Sequence, residues 1–340
     1  GDATARAGHV VAHEATGRSV AVVGSGPAGM AAAYYLARSG HRVTVFERDE
    51  IPGGMLRHAI PPYRLPAEIV DDEFDRLRDM GIEFRTGVEL GTDITVDELT
   101  SEYDAVFAAT GACRERPVGI VGEELLERGL EFLRRVSDEE PITPGDRVAV
   151  IGGGNTAMDV ARVLRRLGSD VTVLYRRTEV EMPAIREEYD LAVGDGVRFE
   201  WLTLPRAAER SAERIALKVE GMRLGDPDES GRPRPEPTGD TSVHEFDAVY
   251  AAVGELADMD PFPERLVGDG GWLDVGSRGE TADERVLAGG DLVTGPATVI
   301  EAIVAGREAA RSIDRRLGFE DRWEVVVTTT PVPADETNPA

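Results

Sequence analysis

Cysteine is almost missing from this chain: Cys113 is the single one in 340 residues. A lone thiol excludes an intrachain disulfide, a Cys-x-x-Cys redox pair and a cysteine-ligated iron–sulfur cluster. Dithiol reductase chemistry goes with them, and Cys113 itself reads as a small buried hydrophobe rather than a nucleophile. Lysine is equally scarce. Lys218 stands alone, so nearly all positive charge is arginine. No apolar run is long enough to span a bilayer without charge or glycine, so membrane insertion is not expected. A secretory leader is not visible, and the chain opens on Gly1 rather than Met, which leaves open a processed chain that has lost an N-terminal segment. The five histidines lack metal-ligand spacing; His9 and His13 share a potential helix face only within a polar arm. No metal is expected.

What is present is acid. Sixty-four Asp and Glu against 38 Lys and Arg give a net charge of −26. Such a surface repels nucleic acid and anionic membranes, and the chain is read as cytoplasmic. Two readings of the arginine-rich, acidic composition stay open together: codon usage in a GC-rich genome, and an acidic, halophilic protein kept in solution by its carboxylates. An apolar content of 41% supports real cores, and the length fits about two domains.

The dinucleotide-binding fingerprint occurs twice, and its two copies end in opposite charges. The first runs Val20-Ala-Val-Val-Gly24-Ser-Gly26-Pro-Ala-Gly29, then a helical stretch, then Val43-Thr-Val-Phe-Glu47. The second runs Val148-Ala-Val-Ile-Gly152-Gly-Gly154-Asn-Thr-Ala157 and ends Val171-Thr-Val-Leu-Tyr-Arg176-Arg177. In each, the first glycine allows a tight turn after a strand and the second lets the backbone approach a pyrophosphate. The third small residue lets helix and strand pack closely. The pyrophosphate then meets free N–H groups at a helix N-terminus. A carboxylate about 20 residues on accepts from ribose hydroxyls, whereas arginine there meets a 2′-phosphate. Glu47 therefore points to an adenosine with a free ribose, and Arg176 with Arg177 to NADP(H). Two dinucleotides on one chain imply hydride transfer between them.

Periodicity and turn residues predict strand 19–24, helix 27–38 closed by Gly40, strand 42–47, a helix over 66–80, strand 82–85, helix 96–101 and strand 105–109. A linking helix is expected near 122–136, then a second strand–helix–strand unit over 147–175. Strands near 198–204 and 214–222 flank a Pro-, Gly- and acid-rich stretch, 225–240, read as an exposed hairpin loop. Strand 247–253, Val286-Leu-Ala-Gly289-Gly290-Asp291 and a helix over 296–317 follow, with a strand candidate at 325–328. The fold class is α/β: two Rossmann-like dinucleotide-binding domains in a glutathione-reductase-like arrangement. The expected division is an arm, 1–17; an FAD-binding domain, 18–118 plus 255–318; an NAD(P)H-binding domain, 119–254; and a tail, 319–340.

In this order the motifs resemble those of the NADPH-dependent, FAD-containing small subunit of glutamate synthase and its relatives, over roughly 18–318. The residues carrying the resemblance are the two glycine loops, Glu47 with Gly53-Gly54, Leu56-Arg57-His58-Ala59-Ile60-Pro61, Ala109-Thr110-Gly111, Tyr175-Arg176-Arg177 with Glu181-Met182-Pro183-Ala184, and Gly289-Gly290-Asp291. The second unit also resembles transhydrogenase-like and dihydropyrimidine dehydrogenase flavin modules. The resemblance implies that Asp291 bonds the ribityl and phosphate region of FAD. It also implies that the helix beginning near Ala297, Thr298 and Val299 aims its N-terminus at the flavin pyrimidine edge, where a reduced flavin carries negative charge. The expected FAD site is Gly24, Gly26, Pro27, Ala28, Gly29, Glu47, Arg48, Gly54, Met55, Leu56, Arg57, Ala109, Thr110, Gly111, Gly290, Asp291, Ala297, Thr298 and Val299. The expected NADP(H) site, with NAD(H) second, is Gly152, Gly154, Asn155, Thr156, Ala157, Arg176 and Arg177. Hydride transfer needs stacking rather than a proton-transfer group, so no catalytic residue is named.

Members of that group carry an N-terminal domain with two iron–sulfur clusters, and the first strand here begins at about residue 19. The NADPH-to-FAD half-reaction is expected to stand without that wiring, with electrons passing to an unidentified small-molecule or protein acceptor. Three alternatives stay open: an electron-transfer module that acts only when docked on a redox partner subunit or ferredoxin, a flavin monooxygenase, whose Phe-x-Gly-x-x-x-His motif is not found, and a non-redox nucleotide sensor.

Overall fold

The computed structural model describes residues 13–227, 231–268 and 271–323. The arm up to residue 12, His9 with it, and the 325–328 strand candidate lie outside these. In the first lobe β1 (Ser19–Val23) leads through α1 (Pro27–Arg38) to β2 (Arg42–Phe46). Gly40, at φ +88°, closes α1. Then come α2 (Met55–His58), α3 (Ala67–Asp79), β3 (Glu83–Arg85), α4 (Val96–Glu102) and β4 (Ala105–Ala108). Thr95 and Glu98 form a reciprocal capping box that starts α4. The chain crosses on β5 (Arg114–Glu115).

The second lobe comprises β6 (Glu127–Arg128), α5 (Gly129–Ser137), β7 (Arg147–Ile151), α6 (Asn155–Arg166), β8 (Asp170–Tyr175), α7 (Arg186–Gly194), β9 (Arg198–Trp201), β10 (Thr203–Ser211), β11 (Arg214–Pro227), β12 (Pro233–Phe246) and β13 (Ala248–Ala251). The return runs through β14 (Glu255–Leu256), β15 (Val286–Ala288), α8 (Asp291–Thr294) and α9 (Val299–Leu317).

Each lobe is built on a five-stranded sheet whose paired strands are all parallel, in the orders β15-β4-β1-β2-β3 and β6-β13-β7-β8-β9. Their central strands are apolar runs buried on both faces, as helices on either side of a parallel sheet require. The two crossing segments pair with each other, β14 antiparallel to β5. Close approach holds α9 on α1: a Cβ at Gly306 would stand 2.0 Å from the Ala28 carbonyl oxygen. The α/β class and its two parallel sheets agree with the expectation from sequence.

Three elements differ. The linking helix begins only at Gly129, because residues 127–128 join the second sheet as its edge strand beside Tyr250 and Ala251. The expected loop at 225–240 is mostly strand: β11 pairs with β12 through Met222–Pro237, Arg223–Glu236 and Leu224–Pro235. Prolines fit there because β12 is an edge strand of the antiparallel sheet β10-β11-β12, where missing N–H groups cost no ladder bond. The strand expected over 198–204 breaks at Leu202, whose φ of +53° turns the chain from the parallel sheet into the antiparallel one.

Candidate functional site

Both glycine loops close β-to-helix turns at the C-terminal ends of parallel strands, the usual place for ligands in such sheets. Gly24 has φ +99°, and a Cβ there would stand 2.4 Å from the Ala109 carbonyl oxygen. A Cβ at Gly29 would meet the Gly24 carbonyl at 1.9 Å, so both positions are fixed by packing. Gly26 differs: a Cβ would touch nothing, since this N-cap residue of α1 opens into a cleft. In the second loop Gly152 at φ +145° plays the part of Gly24, with Ala252 as its carbonyl neighbour, while Gly154 is open like Gly26. Ala157 is fully buried beneath it. The middle residue is constrained too, because a Cβ at Gly153 would stand 2.6 Å from the Tyr175 ring. Gly153 also receives the Ala184 N–H on its carbonyl (3.0 Å), which pins the Met182-Pro183-Ala184 segment over the loop.

The cleft has a volume of about 720 Å³, within the range of cofactor and ligand pockets. The structure brings to it Gly24, Gly26, Pro27, Ala28, Glu47, Arg48, Gly54, Met55, Ala109, Thr110, Gly111, Gly290, Asp291, Ala297, Thr298 and Val299, together with Asn155 and Thr156 from the second loop. Glu47 is buried. Its Oε2 accepts from the Ser25 N–H (2.9 Å) and hydroxyl (2.5 Å), and its Oε1 from the Asp49 N–H (3.0 Å). A carboxylate has about four acceptor positions, so these bonds leave capacity for a ligand hydroxyl.

Asp291 Oδ1 is buried and has no hydrogen-bond partner among the described residues. Burial pushes the Asp291 carboxyl up, against a bond from the Ala297 N–H, and the Glu255 charge adds to the rise. Glu255 is pushed up by burial as well, while accepting from the Thr156 hydroxyl (2.9 Å) holds it back. At the start of α9, Thr298 and Glu301 form a capping box: the Thr298 hydroxyl accepts from the Glu301 N–H (3.2 Å), and Glu301 Oε2 accepts from the Thr298 N–H (2.8 Å).

Other expected residues stand apart from the cleft lining. Leu56 packs against the first core. Arg57 donates to Asp71 Oδ1 (2.8 Å) and to the Ala67 carbonyl (3.3 Å), tying α2 to α3. Arg176 is exposed at the end of β8. Arg177 is buried, with Nε donating to the Pro233 carbonyl at 2.9 Å. Its side chain is thus directed toward β12.

The polar residues of the cleft that sequence reasoning missed include Asp49, Arg64, Asp159, Glu255 and Asp258. A signal for Asp159 existed, because it falls among the buried residues of α6, between Met158 and Val160. Among the described residues no group of His, Cys, Asp and Glu is disposed to hold a metal ion, and no helix is long and apolar enough to cross a membrane.

Two parallel-sheet lobes, each with a glycine loop between a strand and a helix, define the fold, and the chain belongs to the pyridine nucleotide-disulphide oxidoreductase family, whose profile matches residues 18–306. It is 40% identical over 338 residues to the NADP(+)-dependent formate dehydrogenase subunit beta of Moorella thermoacetica, covering 94% of this chain and 46% of that relative. It therefore spans about half that protein's length. It is 35% identical to the glutamate synthase [NADPH] small chain of Halomonas elongata, covering 88% of this chain and 68% of that one. The structure of Mycobacterium tuberculosis FprA in complex with NADPH superposes with a TM-score of 0.75 at 21% identity, over 88% of this chain and 84% of that one, a likeness of fold.

Proposed function

We propose that this chain is a flavin-dependent NAD(P)H oxidoreductase that takes reducing equivalents from NADPH and passes them to a further acceptor. The observation that carries the reading is the unpartnered, buried Asp291 Oδ1 in a cleft whose first glycine loop leaves room at Gly26. A buried acceptor without a donor costs about 1–3 kcal/mol, and a hydroxyl-rich ligand relieves that cost. FAD fits these residues. With FAD bound, the α1 N-terminus at Gly26 would hold its pyrophosphate, Glu47 its adenosine ribose, Asp291 its ribityl and phosphate region, and the start of α9 its pyrimidine edge. That group would supply a hydride acceptor, taking up two electrons with one proton from a reduced nicotinamide.

The second loop supplies the NADP(H) site. Gly154 leaves the pyrophosphate space at the N-terminus of α6, and Asn155, whose Oδ1 accepts from the Ile185 N–H (2.9 Å), and Thr156 fix its rim. Arg176, exposed at the end of β8, is in this reading the residue that meets the 2′-phosphate. In this reading residues 18–118 with 255–318 form the FAD-binding domain and 119–254 the NAD(P)H-binding domain. The single cysteine favours an acceptor other than an intrachain disulfide.

A second reading has a specific observation behind it. The formate dehydrogenase relative is named as a subunit and the glutamate synthase relative as a small chain. The acceptor is then a redox partner subunit, and the chain a cytoplasmic electron-transfer module. NADPH oxidation with ferricyanide, a quinone and ferredoxin, each with and without added FAD, tests both readings. FAD-dependent turnover with a small acceptor supports an autonomous oxidoreductase. Turnover with ferredoxin alone supports the docked module, and none with any acceptor refutes the proposal.

A further inference from the structure

The segment between α2 and α3 sends two side chains of the first lobe into the second. Arg64 Nη1 donates to both oxygens of Asp159 on α6, at 2.5 and 2.7 Å, and Nη2 donates to Glu188 on α7. Behind them Arg162 donates to the other Glu188 oxygen (3.0 Å) and to Asp195 (3.0 Å). The Tyr63 ring meets the guanidinium carbons of Arg166 at 4.1 Å and Arg162 at 5.3 Å. A finger of two residues thus sits in a socket of carboxylates and guanidiniums drawn entirely from the other lobe. Asp159 is only 6% exposed, and Arg64 and Asp159 both line the cofactor cleft. Asp159 lies one helical turn beyond Asn155, at the head of the helix that carries the second glycine loop.

We propose that the Tyr63–Arg64 finger clamps the nicotinamide-binding lobe onto the flavin-binding lobe, with Arg64 and Asp159 as positioning residues that act on hydride transfer through α6. The inference rests on the NADPH-to-FAD reading above. A charge-assisted, forked contact fixes orientation as well as distance. Hydride transfer is sensitive to that distance, since a displacement of about 1 Å costs on the order of 100-fold in rate. The clamp also depends on pH. The groups facing the Asp159 carboxyl are Arg64 and Tyr63 from the first lobe, Glu188 from α7 and Arg162 from its own helix. Burial outweighs the attraction of Arg64, and the Glu188 charge adds to it, so Asp159 is pushed up to about 6. The carboxylate is therefore half charged near pH 6, and the attraction of Arg64 for it is lost as the pH falls through that value.

The test compares Arg64→Glu, Asp159→Arg, the double charge swap, Asp159→Asn and the milder Arg64→Met in the full chain. Three quantities are read: the rate of flavin reduction by NADPH, the affinity for NADP(+), and hydrogen exchange over 59–66 and 155–166 in the ligand-free protein. The clamp predicts that the charge-reversed single variants reduce flavin about 100-fold more slowly, with NADP(+) affinity nearly unchanged and exchange faster in both segments. The double swap recovers only part of the rate and protection, since a carboxylate at 64 also faces Glu188. The unaltered protein slows below about pH 6, and Asp159→Asn shows no such step. Single variants with unchanged rate and exchange would overturn the clamp. A loss of NADP(+) affinity equal to the loss of rate would also overturn it, since Arg64 would then be a ligand contact. If NADPH reduces no flavin even in the unaltered protein, the functional reading falls, and the ligand-free exchange result still decides the clamp.

Discussion

His41 Nε2 and Asp314 Oδ1 lie 2.6 Å apart with both side chains fully buried, joining the start of β2 to α9. The second Asp314 oxygen accepts from the Ser39 hydroxyl (2.7 Å) and the Trp323 indole N–H (2.5 Å). The Thr16 hydroxyl bonds His41 Nδ1 at 2.8 Å. Removing this one acceptor strands several buried polar groups at once. Asp314→Ala is expected to lower the unfolding free energy by about 3–5 kcal/mol, and Asp314→Asn, which keeps one oxygen, by less. Urea unfolding of the two variants measures it, and a loss under about 1 kcal/mol for the alanine variant would mean that the network is not a structural anchor.

The glycines of the first loop separate folding from cofactor binding. Gly24→Val places a side chain against the Ala109 carbonyl in a left-handed backbone, and is expected to destabilise the protein by at least about 1–3 kcal/mol. Gly26→Val keeps an ordinary φ of −66° and fills only the cleft. The Gly26 variant should therefore melt close to the unaltered ligand-free protein while binding no FAD. Equal FAD occupancy in that variant would move the pyrophosphate away from α1.

Cofactor choice should rest on Arg176 alone. Arg176→Glu is expected to lower the preference for NADPH over NADH by about one to two orders of magnitude, as the loss of a charged hydrogen bond worth about 1.5–3 kcal/mol implies. Arg177→Ala should act instead on stability, because its guanidinium is buried against β12. Kinetics with both nucleotides for each variant, beside their melting temperatures, make the comparison. An unaltered protein that already prefers NADH would remove Arg176 from this role.

These assignments show what the chain displays locally. Both glycine loops were legible because a turn after a buried strand leaves a fixed residue pattern, and the ends of α1 followed from Pro27 and Gly40. Asp291 and the start of α9 were expected only through the family resemblance, because Gly289-Gly290-Asp291 taken alone reads as a turn. The Arg64–Asp159 clamp was not, because its partners are 95 residues apart and neither lies in a motif. The burial of Arg177 against β12 was not legible either, because its position in the fingerprint is independent of the antiparallel sheet that covers it. The β11–β12 hairpin was hidden by proline, glycine and acid in a strand that has a free edge.

Salt should stabilise this protein. With a net charge of −26, carboxylates repel one another, and screening shortens that repulsion from about 30 Å at 0.01 M to about 3 Å at 1 M salt. The melting temperature is expected to rise between low salt and molar KCl. NADPH affinity should pass through an optimum, first as repulsion of the anionic ligand is screened and then as the Arg176 contact is. A melting temperature flat or falling over that range would favour codon usage as the source of the composition.

An anaerobic titration of the purified chain with NADPH, followed by its visible spectrum, tests the central claim most directly. The account predicts a yellow protein holding one FAD per chain, whose flavin band is bleached by one equivalent of NADPH and less readily by NADH. A colourless protein that takes up no FAD on reconstitution, or a flavin band that NADPH leaves unchanged, would contradict it.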